Sequence, residues 1–248
     1  MEKDRRDKKV VVEIKHLKKH FGNKEVLYDI NLSIFEGENL VVLGRSGTGK
    51  SVLIKCLVRL IDSDEGKMTV LGENVNELGE DKLDKLREKI GFLFQSAALY
   101  DSMTVRENLE FPLRLLAKKD RKEMYSRVHE VLENVGLSDA IDKMPSDLSG
   151  GMRKRIGLAR TLMLKPEIIL YDEPTTGLDP ITSKEISHLI LDIQKKYNTT
   201  SIIITHDIEC ARITANRIVM LKDGLLMAEG NFNELSTSKD KEVRSFFE

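Results

Sequence analysis

An α/β fold built on a mostly parallel sheet is what the sequence predicts, and two observations predict it. Short apolar runs bounded by glycine or charged clusters alternate with segments of helical period. One of these strand-to-helix junctions is also glycine-rich, at Gly44–Gly49. In chain order the pairs are NLVVLG then KSVLIKCLVRL, EIILYDE then SKEISHLILDIQKKY, and SIIIT then DIECARIT. Ahead of them, VVVEIKHLKKHFGNKEVLYDINLSIFEGE reads as an N-terminal antiparallel β-subdomain of short strands, joined by turns at Gly22–Asn23 and Glu36–Gly37–Glu38. From about Ser96 to Arg160 the alternation breaks. The chain there is long, charged and helix-periodic (MTVRENLEFPLRLLAKK, RKEMYSRVHEVLENVGL) without a buried strand, which predicts an inserted α-helical subdomain. The expected organisation is one domain over 10–231, with a core of 10–95 and 161–231 and the helical part at 96–160, followed by a tail at 232–248. The tail is polar except for Phe246 and Phe247, an apolar end that docks on the body, docks on a partner, or frays.

Composition narrows the function classes. The 248 residues are 40% hydrophobic and 33% charged with a formal net charge of -1, which argues against a disordered chain and a strongly basic nucleic-acid binder. Cys56 and Cys210 lack CxxC or metal-ligand spacing and fit a reducing cytoplasm. The start, MEKDRRDKKVVVEIK, is charged but continues into only three consecutive valines, too few for a leader's apolar core. No apolar run approaches the roughly 20 residues that span a bilayer. Service to a membrane therefore calls for a second protein that does the crossing.

The chemistry starts at the glycine-rich junction. Gly44, Arg45, Ser46, Gly47, Thr48, Gly49, Lys50 and Ser51 satisfy GxxxxGK[ST] between a buried strand and a helix, the context that makes the motif a phosphate loop and the core a P-loop NTPase of the RecA-like kind. The glycines let the backbone turn so that consecutive amides, through Val52, point at phosphate oxygens, and the following helix adds its positive end. Lys50 reaches the β- and γ-phosphates of ATP, and Ser51 offers a hydroxyl to Mg²⁺. Further on, IILYDE is an apolar strand ending in two acids. Alternation along a strand would aim Asp172 at the metal and Glu173 at the water that attacks the γ-phosphate, as base or positioner.

Between these motifs stands LSGGM, Leu148–Met152, followed by RKRIGLARTLMLKP. With it the chain resembles the ATP-binding subunits of ABC transporters, whose LSGGQ signature opens a helix and serves the nucleotide held by a second subunit. The order of motifs matches as well: Gln95 after the strand GFLFQ, the signature, the acid pair, GLD at Gly177–Asp179, and His206 after SIIIT. The signature has its own physics, since Ser149 is a good N-cap, Gly150 and Gly151 leave amides uncovered, and a helix N-terminus favours an anion. Met152 departs from the usual Gln, at a position where Ser149 and backbone amides supply the phosphate contacts.

The resemblance covers nearly the whole chain. It implies ATP hydrolysis with Mg²⁺ by a head-to-tail homodimer, bound to an integral permease at the inner face of the cytoplasmic membrane, with no nucleic acid involved. It also implies that Phe21 stacks on adenine, that Gln95 joins Ser51 and Asp172 at the metal, that Asp179 lies at the dimer seam, and that His206 contacts the γ-phosphate. A core role is the alternative for Phe21. LGRSGTGKSVLIK, GFLFQSAALYDSMTVRENLEFPL, LSGGMRKRIGLAR and NELSTSKDKEVRSFFE are similar, more narrowly, to the ATPases of Mla (maintenance of lipid asymmetry, Mce-associated) phospholipid transporters, although Ala97 and Ala98 stand where SGA is commoner. That branch implies phospholipid as cargo and adds a STAS-domain protein and an Mce-domain protein as partners. Leu99, Tyr100 and Met103 then line a cleft for a permease helix or belong to the subdomain core. The rivals are ABC ATPases of lipoprotein release, cell division or amino-acid import, a soluble ABC protein, and a nucleotide sensor without turnover. One motif set and no sustained heptads argue against the soluble class.

Overall fold

The computed structural model describes residues 8–116 and 120–247, so the charged start, the middle of the helical stretch at 117–119 and the final residue lie outside it. Two twelve-residue strands, β1 (Val10–Phe21) and β2 (Lys24–Phe35), pair antiparallel across the Gly22–Asn23 turn, where Gly22 takes a φ of 57°. They are longer than the short strands expected. The second turn has another role than closing a hairpin: at Gly37, φ 70°, the chain leaves this sheet for β3 (Asn39–Leu43) in a second one. The phosphate loop and α1 (Lys50–Leu57) follow. Next come β4 (Glu65–Val70) and β5 (Glu73–Asn74), which complete an antiparallel sheet in the order β2-β1-β4-β5. Sequence reasoning passed over both because β4 is exposed along its first three residues and shows little apolar pattern.

The chain continues through α2 (Glu80–Arg87), β6 (Ile90–Leu93), α3 (Val105–Leu116), α4 (Arg121–Asn134) and α5 (Gly150–Leu162). It then returns to β7 (Ile168–Asp172), α6 (Pro180–Tyr197), β8 (Thr200–Thr205), α7 (Ile208–Thr214), β9 (Arg217–Lys222) and β10 (Leu225–Gly230). The second sheet runs β10-β9-β3-β8-β7-β6, parallel throughout except for β10 at its edge. The α/β class, with an antiparallel N-terminal sheet and added helices, is therefore as predicted.

Side chains on a strand alternate between faces, and here the alternation divides the apolar residues between two cores. Val41, Leu43, Ile169, Tyr171 and Ile203 join the core shared with the helical segments α3 to α6. Leu40, Val42, Ile168, Leu170, Ile202 and Ile204 join the other, with Leu53, Ile54 and Leu57 of α1 and with Ile14, Leu17 and Ile30 of the antiparallel sheet. Helix α1 is thereby held between the two sheets, with the phosphate loop at the C-terminal end of β3.

The tail forms two short helices, α8 (Phe232–Ser236) and α9 (Lys241–Arg244), and docks on the body. Val243 is buried, Phe247 meets Phe232 edge to face at 5.3 Å, Lys222 pairs with Glu242, and the Arg45 guanidinium sits 5.7 Å from the Phe246 ring.

Candidate active site

Parallel strands with reversed neighbours bring their C-terminal ends to one edge of a sheet, where ligands of such folds bind. At that edge the phosphate loop leaves β3, Glu173 leaves β7, His206 leaves β8 and Gln95 leaves β6. Together they line a cavity of about 300 Å³, with Ser46, Gly47, Gly49, Lys50, Ser51 and Val52 on the phosphate-loop side. Val26 of β2 and Thr176 line it too. Neither was marked from sequence, since Val26 reads as an ordinary strand residue; the signal for Thr176 is its place between the acid pair and GLD.

The glycines of the loop serve two purposes. Gly47 (φ 83°) and Gly49 (φ 99°) adopt the left-handed backbone that glycine alone accepts without strain. Gly44 does not; there a Cβ would lie 2.4 Å from the Leu221 carbonyl oxygen, so close approach of β9 requires the glycine. Lys50 is buried, and its Nζ donates to the carbonyls of Gly44 (2.8 Å) and Arg45 (3.0 Å) and pairs with Glu173 Oε1 at 3.2 Å. Thr48 closes the loop by donating to the Arg45 carbonyl.

The two acids do face different partners, for a reason other than strand alternation. Asp172 is the last residue of β7 and accepts from Ser51 Oγ at 2.6 Å. Glu173 lies beyond the strand with a φ of 51°, and this left-handed kink turns it toward Lys50 and His206. Its Oε2 accepts from Thr176 Oγ1 at 3.2 Å and lies 2.8 Å from His206 Nδ1, a contact that orients the ring. Glu173 is 8% exposed, so its carboxylate is largely screened from bulk solvent while still lining the cavity.

The remaining residues singled out from sequence lie outside this cavity. Ser149 caps α5, accepting from the Met152 amide at 3.2 Å. Gly151 is buried, and a Cβ there would stand 2.6 Å from the Thr182 methyl group. Close packing of α6 therefore explains glycine at that position better than an uncovered amide does. Asp179 caps α6, and hydrogen bonds from the hydroxyl and amide of Thr182 hold its carboxyl below the usual range. Phe21 ends β1 with 49% of its surface exposed, which is not the environment of a core residue. Leu99 packs partly into the core, as the subdomain-core reading has it, while Tyr100 stands 44% exposed.

A buried cation beside the site escaped the sequence reading. Lys154 of α5 is 6% exposed and donates to the backbone carbonyls of Gln95 and Glu173. Burial pulls its ammonium down to about 8, against the opposing pull of Asp172 and Glu173. The available signal was its spacing, three residues after Gly151 and four before Leu158 on the buried stripe of the helix.

Comparison with known proteins agrees with this geometry. The family model described as ABC transporter matches residues 27–176. The chain is 42% identical over 237 residues to the Mycobacterium leprae protein named "Probable ribonucleotide transport ATP-binding protein mkl", covering 96% of this chain and 68% of that one. It is 39% identical over 235 residues to the methionine import ATP-binding protein MetN of Rhizobium johnstonii, covering 94% of this chain and 64% of that one. The chain thus spans about two thirds of the length of these relatives. Among solved structures, a dimeric post-hydrolysis state of the ATP-binding cassette MJ0796 with ADP and Pi superposes with a TM-score of 0.81 at 34% identity, covering 89% of this chain and 98% of that one. CbiO1 of Clostridium perfringens, part of the transporter complex cbiONQ, gives 0.85 at 28% identity, covering 95% and 94%. A phosphate loop whose buried lysine faces an acid pair and a histidine agrees with these matches: the chain belongs to the ABC transporter family, of which it carries the ATP-binding, ATP-hydrolysing domain.

Proposed function

We propose that two copies of this chain close head to tail on two ATP molecules and so drive an integral permease that moves phospholipid. The observation that carries the dimer is the position of the signature. Ser149, Gly150, Gly151 and Met152 open α5 outside the lining of the cavity around Lys50 and Glu173, which supports the reading that they serve a nucleotide held by another copy, and the dimeric state of the MJ0796 cassette favours it as well. In each site the amides of the phosphate loop cradle the phosphates, Lys50 neutralises the β- and γ-oxygens, and Phe21 stacks on adenine. Ser51, Asp172 and Gln95 offer a hydroxyl, a carboxylate and an amide oxygen, the hard donors that Mg²⁺ takes alongside phosphates. Bound there, Mg²⁺ neutralises charge developing on the transferred phosphoryl group.

Glu173 takes or orients the proton of the attacking water, and His206, held by Glu173, contacts the γ-phosphate until hydrolysis removes it. Asp179 lies at the seam between copies. In this division of labour the core, 10–95 and 161–231, holds nucleotide. The helical part, 96–160, carries the signature and the docking loop, and the tail, 232–248, braces the body.

Among the described residues no helix is long and apolar enough to cross a membrane. The reading places the chain at the cytoplasmic face, on a permease accompanied by Mce-domain and STAS-domain proteins. Support for phospholipid comes from the signature with Met152 and from the loop after Gln95. The names of the relatives favour a second reading, import of methionine or of a ribonucleotide. Purifying the tagged chain from its native membranes with its permease, then following ATP-dependent transfer of labelled phospholipid between vesicles, separates the two. Lipid transfer is the expected result, and an amino-acid or nucleotide permease without lipid transfer refutes the phospholipid assignment.

A further inference from the structure

Helix α5 turns three residues at a spacing of three, Lys154, Gly157 and Arg160, toward the loop that leaves β6, and such residues share one helix face. Lys154 Nζ donates to the Gln95 carbonyl at 2.5 Å and to the Glu173 carbonyl at 3.2 Å. Gly157 lies so close beneath the loop that a Cβ there would be 2.8 Å from the Ala97 Cβ. Arg160 donates to the carbonyls of Ala97 (3.1 Å) and Ala98 (2.8 Å). Both alanines have left-handed φ angles, 62° and 48°, a conformation that persists only where its surroundings hold it. An ordinary packing residue at position 154 would be apolar, because a buried ammonium is costly unless its protons are taken up. Here two carbonyls from two different strand ends accept from it, and both of those residues line the cavity.

We propose that Lys154 is a positioning residue for ATP hydrolysis: its ammonium fastens the backbones of Gln95 and Glu173 to the signature helix, so the two side chains facing the nucleotide move together with that helix. The inference rests on the reading of Gln95 and Glu173 given above. A single side chain with three donors is suited to the task, since it can serve converging carbonyls without filling the space between them. Arg160 and Gly157 then hold the rest of the loop to the same face.

The test compares Lys154→Met, Lys154→Arg and Glu173→Gln in the full chain. Lys154→Met keeps length and packing but removes the donors. Its turnover should fall at least about tenfold while KM and nucleotide affinity stay within about threefold, the split expected when an interaction serves only the chemical step. Hydrogen exchange should quicken over residues 95–98 and remain unchanged along β3 and α1. Lys154→Arg, which restores charge and donors, should recover at least about a third of the turnover. If Lys154→Met does not fold, Lys154→Ala, which also removes the donors, carries the same measurements. A folded Lys154→Met or Lys154→Ala with wild-type turnover and unchanged exchange over 95–98 overturns the proposal, as does a loss confined to nucleotide affinity. Glu173→Gln separates the two levels: if it keeps full turnover, the reading of the site fails, whereas an inactive Glu173→Gln beside a fully active Lys154→Met removes only the positioning role.

Discussion

At Glu173 a single backbone angle decides what the carboxylate can reach. Its left-handed φ of 51° turns the side chain off the strand direction and into contact with Lys50 and His206. Strain of order 1–3 kcal/mol is characteristic of functional positions held by their surroundings. Replacement by Gln keeps the shape and removes the carboxylate proposed as the base. Turnover of Glu173→Gln should therefore fall by about 10²-fold or more, with ATP still bound and the closed dimer accumulating. Single-turnover phosphate release together with size-exclusion analysis in ATP checks this, and near-normal release would contradict the role. Lys50→Ala works on the other half of the pair. It removes hydrogen bonds to charged phosphate, about 1.5–3 kcal/mol, so affinity for ATP should drop by about 10- to 150-fold. Titration of the folded variant with a fluorescent nucleotide measures it, and an unchanged affinity would sink the assignment.

At the scale of elements, α5 joins two jobs that sequence motifs list separately. Its N-terminus presents the signature, capped by Ser149, and one face of the next two turns grips the loop after Gln95. In the proposed dimer the signature serves a neighbour's nucleotide, so damage to it should be complementable. Ser149→Arg should bind ATP as the wild type does and yet be inactive, and Lys50→Ala should be inactive because it binds poorly. A mixture forms dimers with one intact composite site, the phosphate loop of the first variant against the signature of the second. Hydrolysis should reappear on mixing, at a fraction of wild type set by the share of mixed dimers. Two inactive variants that stay inactive at every ratio would argue against a shared site. The tail is a second such element: it docks through Val243, Phe246 and Phe247 and places Phe246 beside Arg45 of the phosphate loop.

For the whole molecule, the question is how a change at the nucleotide reaches a permease. The loop from Gln95 to Met103 has its start in the cavity and its exposed Tyr100 packed on Phe111 and beneath Arg160, outside it. Leu99 is partly in the core, and a charge there would damage packing, whereas a charge at Tyr100 meets solvent or the partner. Tyr100→Glu should leave ATP hydrolysis by the isolated chain within about twofold. In the assembled complex it should cost docking about 2 kcal/mol or more, a loss of about 30-fold in affinity for the permease. Copurification and hydrolysis measured with and without the membrane partner decide it, and intact assembly would refute this docking surface.

By itself the sequence determined the class of fold and the chemistry of the phosphate loop, because both are written locally. Strand and helix periods need only near neighbours, and Gly-Lys-Ser at a strand-to-helix junction sits on one continuous segment. The acid pair at the end of IILYDE and the N-cap at Ser149 are legible for the same reason. The tertiary structure alone decided what depends on contacts between distant segments. It turned Gly37 from a hairpin turn into a passage between sheets, revealed β4 from a sequence with little apolar pattern, and docked the tail. It assigned Gly44 and Gly151 to close approach by Leu221 and Thr182, residues far away in the chain. Lys154 is the clearest case, since a lysine in a charged run reads as solvated until the fold surrounds it with two carbonyls from strand ends 59 and 19 residues away. Burial of a charge is a property of packing, and packing is decided only when the whole chain is in place.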